Sequence, residues 1–214
     1  MIVYKELKKE ILTACFQMKE YRLISLSGGN ISVRAEKNRY LVTPSGMNYE
    51  DMKEDDIVLV DGDGNLIEGD RRPSSDLAAL LYIFKHRPKI NAIIHTHQPY
   101  ATAVGLVADK LPACLVNLID AVHGDVMVAP WTRSSDIGMG KLCIEYGNEA
   151  NAIIMKHHGV IGYGESLEEA LFSVVYLEEG AKTYCMARMM GTVAELSKKE
   201  VMLELSGMEH YGQI

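Results

Sequence analysis

The stretch Asn-Ala-Ile-Ile-His-Thr-His, residues 91–97, is the most informative part of the sequence. A short apolar run that follows Pro88 and ends in polar residues predicts a buried strand. Successive strand residues point to opposite faces, so His95 and His97 share one face, with their α-carbons roughly 7 Å apart. At that spacing two imidazole nitrogens can converge on one metal ion.

A second pair of histidines follows another apolar run. Residues 152–156 predict a buried strand, and His157 and His158 come directly after it. Adjacent residues point in opposite directions, so only one of the two is expected to join the first pair. Polar residues at a strand end explain each motif taken alone, but the two motifs together favour a metal site. Three neutral imidazoles with an open position suit zinc, so the sequence predicts one zinc ion per chain.

The elements around these strands alternate irregularly, with hairpins early in the chain. Helices are predicted at residues 3–21, 76–87, 98–108, 135–147, 166–190 and 197–206. Further strands are predicted at residues 31–34, 40–43, 57–60, 66–67, 113–118 and 126–129. This order predicts a single α/β domain over residues 1–214, a three-layer α/β/α arrangement with a mainly antiparallel or mixed central sheet.

The composition excludes several classes of function. The chain has 214 residues, of which 48% are hydrophobic and 24% charged, as is typical of ordinary globular proteins. A net charge of −7 without a basic tract argues against a nucleic-acid partner. No stretch approaches the roughly 18 apolar residues of a spanning helix, and the N-terminus mixes Lys and Glu with apolar residues. We therefore expect no membrane association and a cytoplasmic location.

Three loops are rich in small hydrogen-bond donors. They are residues 27–30 (Ser-Gly-Gly-Asn), 43–46 (Thr-Pro-Ser-Gly) and 73–75 (Pro-Ser-Ser). Each loop alone is typical of a turn, but glycine amides and serine hydroxyls can also surround a phosphate without a cationic side chain. Asp76, directly after the third loop, can cap a helix, act as a fourth metal ligand or serve as a general base.

Taken in order, these motifs resemble the class II aldolase and adducin-head family over about residues 7–214. The resemblance implies that His95, His97 and His158 are the zinc ligands. It implies that the substrate phosphate is held by Asn30, Ser45, Gly46, Ser74 and Ser75. It also implies catalytic roles for Asp76, Asp120 and Tyr211, in a homotetramer whose active sites lie at subunit interfaces.

For the activity, the resemblance implies a zinc-dependent aldolase. Such an enzyme cleaves a small phosphorylated ketose into dihydroxyacetone phosphate and an aldehyde through a zinc-stabilised enediolate. The alternative is an L-ribulose-5-phosphate 4-epimerase-like enzyme, which rejoins the fragments with opposite stereochemistry. Asp76 and Asp120 favour the epimerase, whereas the short chain and the Val-Ala-Pro-Trp segment ending at Trp131 favour the aldolase, our main expectation. A non-catalytic adducin-like interaction module is a remote third alternative, because such modules usually lack the three histidines.

Overall fold

The computed structural model describes residues 2–207, which form one nine-stranded sheet flanked by helices. The helices are α1 (Ile2–Glu20), α2 (Leu77–His86), α3 (Pro99–Val107), α4 (Val116–Val122), α5 (Ile137–Tyr146), α6 (Leu167–Met190) and α7 (Lys198–Gly207). The strands are β1 (Asn30–Glu36), β2 (Arg39–Val42), β3 (Val58–Asp61), β4 (Leu66–Glu68), β5 (Ala92–Thr96), β6 (Lys110–Leu111), β7 (Val126–Ala129), β8 (Ala152–Met155) and β9 (Gly159–Gly164).

The sheet is mixed and mainly antiparallel, as predicted. Its strand order is β4-β3-β2-β1-β5-β9-β8-β7-β6. Neighbouring strands run antiparallel except β7 and β8, which are parallel. β5 lies at the centre of this order, which explains why its sequence is a continuous apolar run buried on both faces.

Alternation along β5 divides the hydrophobic core into two layers. Ala92 and Ile94 pack in a core that also contains buried residues of α1, α3, α4 and α6. Ile93 packs in a second core, on the other face, with buried residues of α2 and α5. Helices therefore cover both faces of the sheet, which confirms the predicted α/β/α fold.

The strand predicted at residues 113–118 is wrong. Only the short β6 lies nearby, and α4 begins within the predicted strand. Leu118, Ala121 and Val122 are buried at helical spacing. Packing of α4 against α6 therefore decides the conformation of this segment.

The sequence did not predict β9, whose six residues include three glycines. Glycine usually weakens a strand, but here it lets α6 lie close to the sheet. A β-carbon at Gly162 would lie 2.4 Å from Val174 Cγ1, and one at Gly164 would lie 2.4 Å from the amide nitrogen of Ala170. These glycines therefore mark a close contact between a strand and a helix.

Two further features concern membranes and cysteines. Within residues 2–207, no helix combines the length and the hydropathy needed to cross a membrane. All four cysteines are free thiols: Cys15 and Cys143 are buried, whereas Cys114 and Cys185 are half-buried.

Candidate metal centre

Three histidine side chains converge at one end of β5. His95 Nε2 lies 3.0 Å from His97 Nε2 and 3.2 Å from His158 Nε2. The three candidate ligand atoms all lie within 4.8 Å of one another. Two nitrogens bound tetrahedrally to one zinc ion lie about 3.3 Å apart, given zinc–nitrogen distances of about 2.0–2.1 Å. The cluster therefore has the dimensions of a three-histidine metal site.

The local backbone explains which histidine of the second pair joins the cluster. The chain turns after β8, where the amide of His158 donates to the carbonyl of Met155 at 3.0 Å. His157 sits in the left-handed region of this turn, with φ of 61°, and its side chain is exposed. His158 is half-buried against His95. The structure thus separates the two neighbours as the sequence predicted.

Glycines make room for the histidine rings. A β-carbon at Gly159 would lie 2.9 Å from His97 Cδ2 and 2.2 Å from the Thr96 carbonyl oxygen. A β-carbon at Gly28 would lie 3.0 Å from His97 Nδ1. Gly29, with φ of 85°, approaches the carbonyl of His95 so closely that a β-carbon would lie 2.4 Å away. The Gly-Gly pair of the first loop therefore supports the cluster as well as lining the cleft.

The environment keeps the three imidazoles neutral. Burial, together with the neighbouring His97 and His158 rings, lowers the pKa of His95 to about 3. Burial also lowers the pKa of His97 and of His158, against the opposing effect of the Asp76 carboxylate. His95 Nδ1 lies 2.8 Å from the carbonyl oxygen of Val160, which can only accept, so Nδ1 carries the proton. The Nε2 lone pair of His95 therefore faces the cluster, as a metal ligand requires.

Asp76 does not cap its helix. It occupies the N-cap position of α2, but its side chain makes no capping hydrogen bond. Instead, its Oδ2 accepts from Asn30 Nδ2 at 2.8 Å and lies 4.0 Å from His95 Nε2. The side chain is buried, which leaves a carboxylate held beside the three rings. The sequence left three roles open for Asp76. The structure excludes the helix cap and leaves a fourth metal ligand or a general base.

The three donor-rich loops meet the histidines in one cleft. The second and third loops are joined where the Ser45 amide donates to the Arg72 carbonyl and the Ser74 amide to the Thr43 carbonyl. The cleft has a volume of about 290 Å³. Its walls include Asn30, Ser45, Gly46, Ser74, Ser75, Asp76, His95, His97 and His158. The predicted phosphate-binding and metal-binding residues therefore surround the same space.

Ser134 and Ser135 also line this cleft, although they were not predicted from the sequence. They stand before α5 in the segment Ser-Ser-Asp, residues 134–136, which repeats the Ser-Ser-Asp of residues 74–76 before α2. Both copies precede a helix, and both bring serines to the cleft. The repeated Ser-Ser-Asp segment is the sequence signal that could have predicted Ser134 and Ser135 at the cleft.

The structure does not bring Asp120 to the histidines of its own chain. Asp120 lies on α4 and lines a larger cavity, of about 820 Å³, whose walls include none of the three histidines. Burial raises the pKa of its carboxyl, and nearby Glu204 raises it further. Tyr211 lies outside the described residues. The catalytic roles of Asp120 and Tyr211 both stay predictions.

Comparisons with known proteins identify the family of the chain. The sequence model of the family described as Class II Aldolase and Adducin N-terminal domain matches residues 9–185. An L-ribulose-5-phosphate 4-epimerase of Salmonella paratyphi C (strain RKS4594) is 31% identical across 98% of this chain and 99% of its own. A solved L-fuculose 1-phosphate aldolase is 31% identical, with a TM-score of 0.90 over 95% of this chain and 96% of that one.

A more distant solved structure shares the fold. It is the L-fuculose-1-phosphate aldolase from Thermus thermophilus, with 23% identity and a TM-score of 0.75. The alignment covers 86% of this chain and 95% of that one. The family match spans most of the chain, and the 31% identical epimerase aligns over nearly its whole length. The chain therefore belongs to the class II aldolase and adducin family.

Proposed function

We propose that the protein is a zinc-dependent aldolase that cleaves a small phosphorylated ketose into dihydroxyacetone phosphate and an aldehyde. The observation that carries this proposal is the shared cleft, in which three neutral imidazoles and one buried carboxylate face three donor-rich loops. Class II aldolases are metal-dependent, and this chain retains a donor set for a metal.

The donor set fits one zinc ion per chain. His95, His97 and His158 would hold it through their Nε2 atoms, which is the usual three-ligand arrangement of a catalytic zinc site. Neutral imidazoles are poor ligands for magnesium or calcium, which prefer oxygen. When bound, the ion supplies Lewis acidity that stabilises negative charge developing on the sugar oxygens.

The loops and Asp76 divide the remaining work. Ser45, Ser74 and Ser75 bind the phosphate through their hydroxyls and Gly46 through its amide, with Asn30 beside them. In the cleavage, the bond between C3 and C4 breaks, its electron pair stays on the three-carbon fragment, and the C4 hydroxyl gives its proton to the Asp76 carboxylate. The fragment then takes up one proton at C3, which Asp76 delivers. Asn30 holds the Asp76 carboxylate in place through its 2.8 Å hydrogen bond.

The proposal includes a homotetramer with active sites at subunit interfaces. Asp120 lies outside the cleft of its own chain, so any catalytic role for it requires a neighbouring copy. Tyr211 would reach the neighbouring site from the C-terminal segment. Removal of residues 207–214 should then reduce turnover far more than zinc content, and a fully active monomer in solution would contradict the assembly.

A 4-epimerase acting on L-ribulose 5-phosphate is the second candidate. Asp76 and Asp120 favour it, and a 31% identical relative carries that activity in its name. Separate incubations with L-fuculose 1-phosphate and L-ribulose 5-phosphate distinguish the two reactions. Free dihydroxyacetone phosphate from the first substrate supports the aldolase. Conversion of the second to D-xylulose 5-phosphate, without accumulating fragments, rejects the aldolase in favour of the epimerase.

The substitution Asp120→Asn separates the two mechanisms by a different route. An aldolase needs one proton transfer to the three-carbon fragment, so substantial cleavage should remain when Asp120 is replaced. An epimerase must deprotonate and protonate on both faces of the aldehyde, so the same variant should lose nearly all turnover. Asp76→Asn, the matched control, should abolish either reaction.

A further inference from the structure

The backbone turns a corner between β5 and α3, and this corner is held from the side opposite the histidine cluster. β5 ends at Thr96 and α3 begins at Pro99, so His97 and Gln98 form the corner between them. Because side chains alternate along β5, Thr96 points away from the face that carries His95 and His97. That opposite face packs against α6. The His97 side chain therefore lies on one side of the corner, and the contacts of the corner with α6 lie on the other.

Gln98 attaches the corner to α6 through a fully buried side chain. Its Oε1 accepts from Thr96 Oγ1 at 2.6 Å, and its Nε2 donates to the carbonyl oxygen of Val174 at 3.1 Å. Both polar ends of the amide are thus satisfied, as a buried polar side chain requires. The residues before and after His97 are joined to each other and to α6.

Glu178 of α6 holds the start of α3. Its Oε1 accepts from the Tyr100 amide at 2.9 Å, and its Oε2 accepts from the Ala101 amide at 3.0 Å. Pro99 has no amide hydrogen, and the Thr102 amide donates to the carbonyl of Gln98. Glu178 therefore satisfies both remaining free amides in the first turn of α3, where Gln98 makes no side-chain cap.

This use of a carboxylate is unusual for simple packing. Glu178 is 8% exposed, and burying a charge is costly unless hydrogen bonds compensate. The two amide donors and the positive end of the α3 dipole provide that compensation. Because Glu178 lies on α6 and both donating amides lie on α3, the carboxylate fixes the position of α3 relative to α6.

We propose that Glu178 and Gln98 are positioning residues of the metal centre, which hold the corner so that His97 Nε2 stays beside His95 and His158. The inference rests on the proposed metal site. His97 depends on such support because it follows the last residue of β5 and is the most exposed of the three histidines. Its amide donates to the Leu23 carbonyl, which anchors the backbone at one further point.

The test compares metal binding with folding in Glu178→Gln. A glutamine offers one acceptor oxygen, and its NH₂ group would face an amide hydrogen at the other position. Zinc affinity, measured by competition with a chromophoric chelator, should fall at least about tenfold, as it does when groups behind metal ligands are lost. The visible spectrum of the Co²⁺-substituted protein should change as well, since it reports ligand geometry.

Ser173→Ala is the matched control. Ser173 lies on the same helix and is fully buried, and its hydroxyl can donate to the carbonyl of Ala121, Tyr163 or Glu169, none of which belongs to the corner. It should lower the thermal midpoint without changing zinc affinity. If Glu178→Gln does not fold, Thr96→Val and Thr96→Ser replace it. Valine removes the donor to Gln98 and should weaken zinc binding, whereas serine keeps the hydroxyl and should restore it.

The outcomes separate this inference from the proposed function. The positioning role is overturned if the wild-type protein binds zinc tightly and the Glu178→Gln and Thr96→Val variants bind it with the same affinity. The proposed metal site is then still supported. The positioning role is also overturned if Glu178→Gln and Ser173→Ala both lose zinc affinity in proportion to their losses of thermal stability. Wild-type protein without zinc affinity rejects both the inference and the proposed function.

Discussion

Acidification should destabilise the metal-free protein through His95. The pKa of this buried imidazole is lowered from 6.5 to about 3, so the folded protein leaves it neutral at pH 5. The unfolded chain takes up the proton below about pH 6.5, and unfolding is therefore favoured as the pH falls from there. At about 1.36 kcal/mol per pH unit, the free energy of unfolding should lose about 2 kcal/mol between pH 7 and pH 5.

The assay is urea denaturation of the chelator-treated protein at pH 7 and pH 5, with His95→Asn as the reference. The asparagine amide can replace Nδ1 as the donor to the Val160 carbonyl, but it does not titrate. Other titrating groups are common to both proteins, so the difference between their losses isolates His95. Wild-type protein should lose about 2 kcal/mol more than the variant. Equal losses would contradict the prediction, because they would mean that His95 protonates as readily in the folded protein as in the unfolded chain.

Three further predictions concern the same cleft. His158→Ala should lose bound zinc while His157→Ala retains it, as metal analysis of the purified variants will measure; equal losses would contradict the ligand assignment. Asn30→Ala removes the hydrogen bond to Asp76, and since hydrogen bonds to charged groups contribute about 1.5–3 kcal/mol, kcat should fall roughly ten- to hundredfold with zinc content unchanged. Gly159→Ala puts a β-carbon against Thr96 and His97 and should cost about 1–3 kcal/mol of stability together with zinc affinity. Gly207→Ala, whose β-carbon would meet nothing within 4 Å, serves as its control, and equal thermal midpoints would contradict the steric reasoning.

The features that could be predicted from the sequence are those with a local signal. Residues 91–97 carry the apolar run and the alternation that define β5, and the structure brings His95 and His97 to one face as expected. The turn after β8 brings His158 into the same cluster. The left-handed backbone at His157 keeps that side chain out of the cluster. Long helices such as α6 have enough turns for their periodicity and their caps to agree, so their limits were predicted within a residue or two.

The features that could not be predicted depend on partners far along the chain. Asp76 follows two serines at a helix start, which is the local pattern of a capping carboxylate. Its actual partner, Asn30, lies 46 residues earlier, and the pairing of β1 with β5 brings that residue to the cleft. A hydrogen bond of this kind has no local signature. The same holds for Glu178, which looks like an ordinary charged residue of a long helix until α3 lies against it.

Glycine shows most clearly how a local interpretation changes in three dimensions. In the sequence, Gly28 and Gly159 are typical of turn residues next to polar side chains. In the fold, β9 pairs with β5 and the first loop lies against their common end, so both glycines stand where a β-carbon would meet the His97 ring. β9 and the role of these two glycines were not predicted for the same reason, because both depend on the backbone contact at the common end of β5 and β9. The histidine cluster is narrow enough that the absence of two side chains helps to define it.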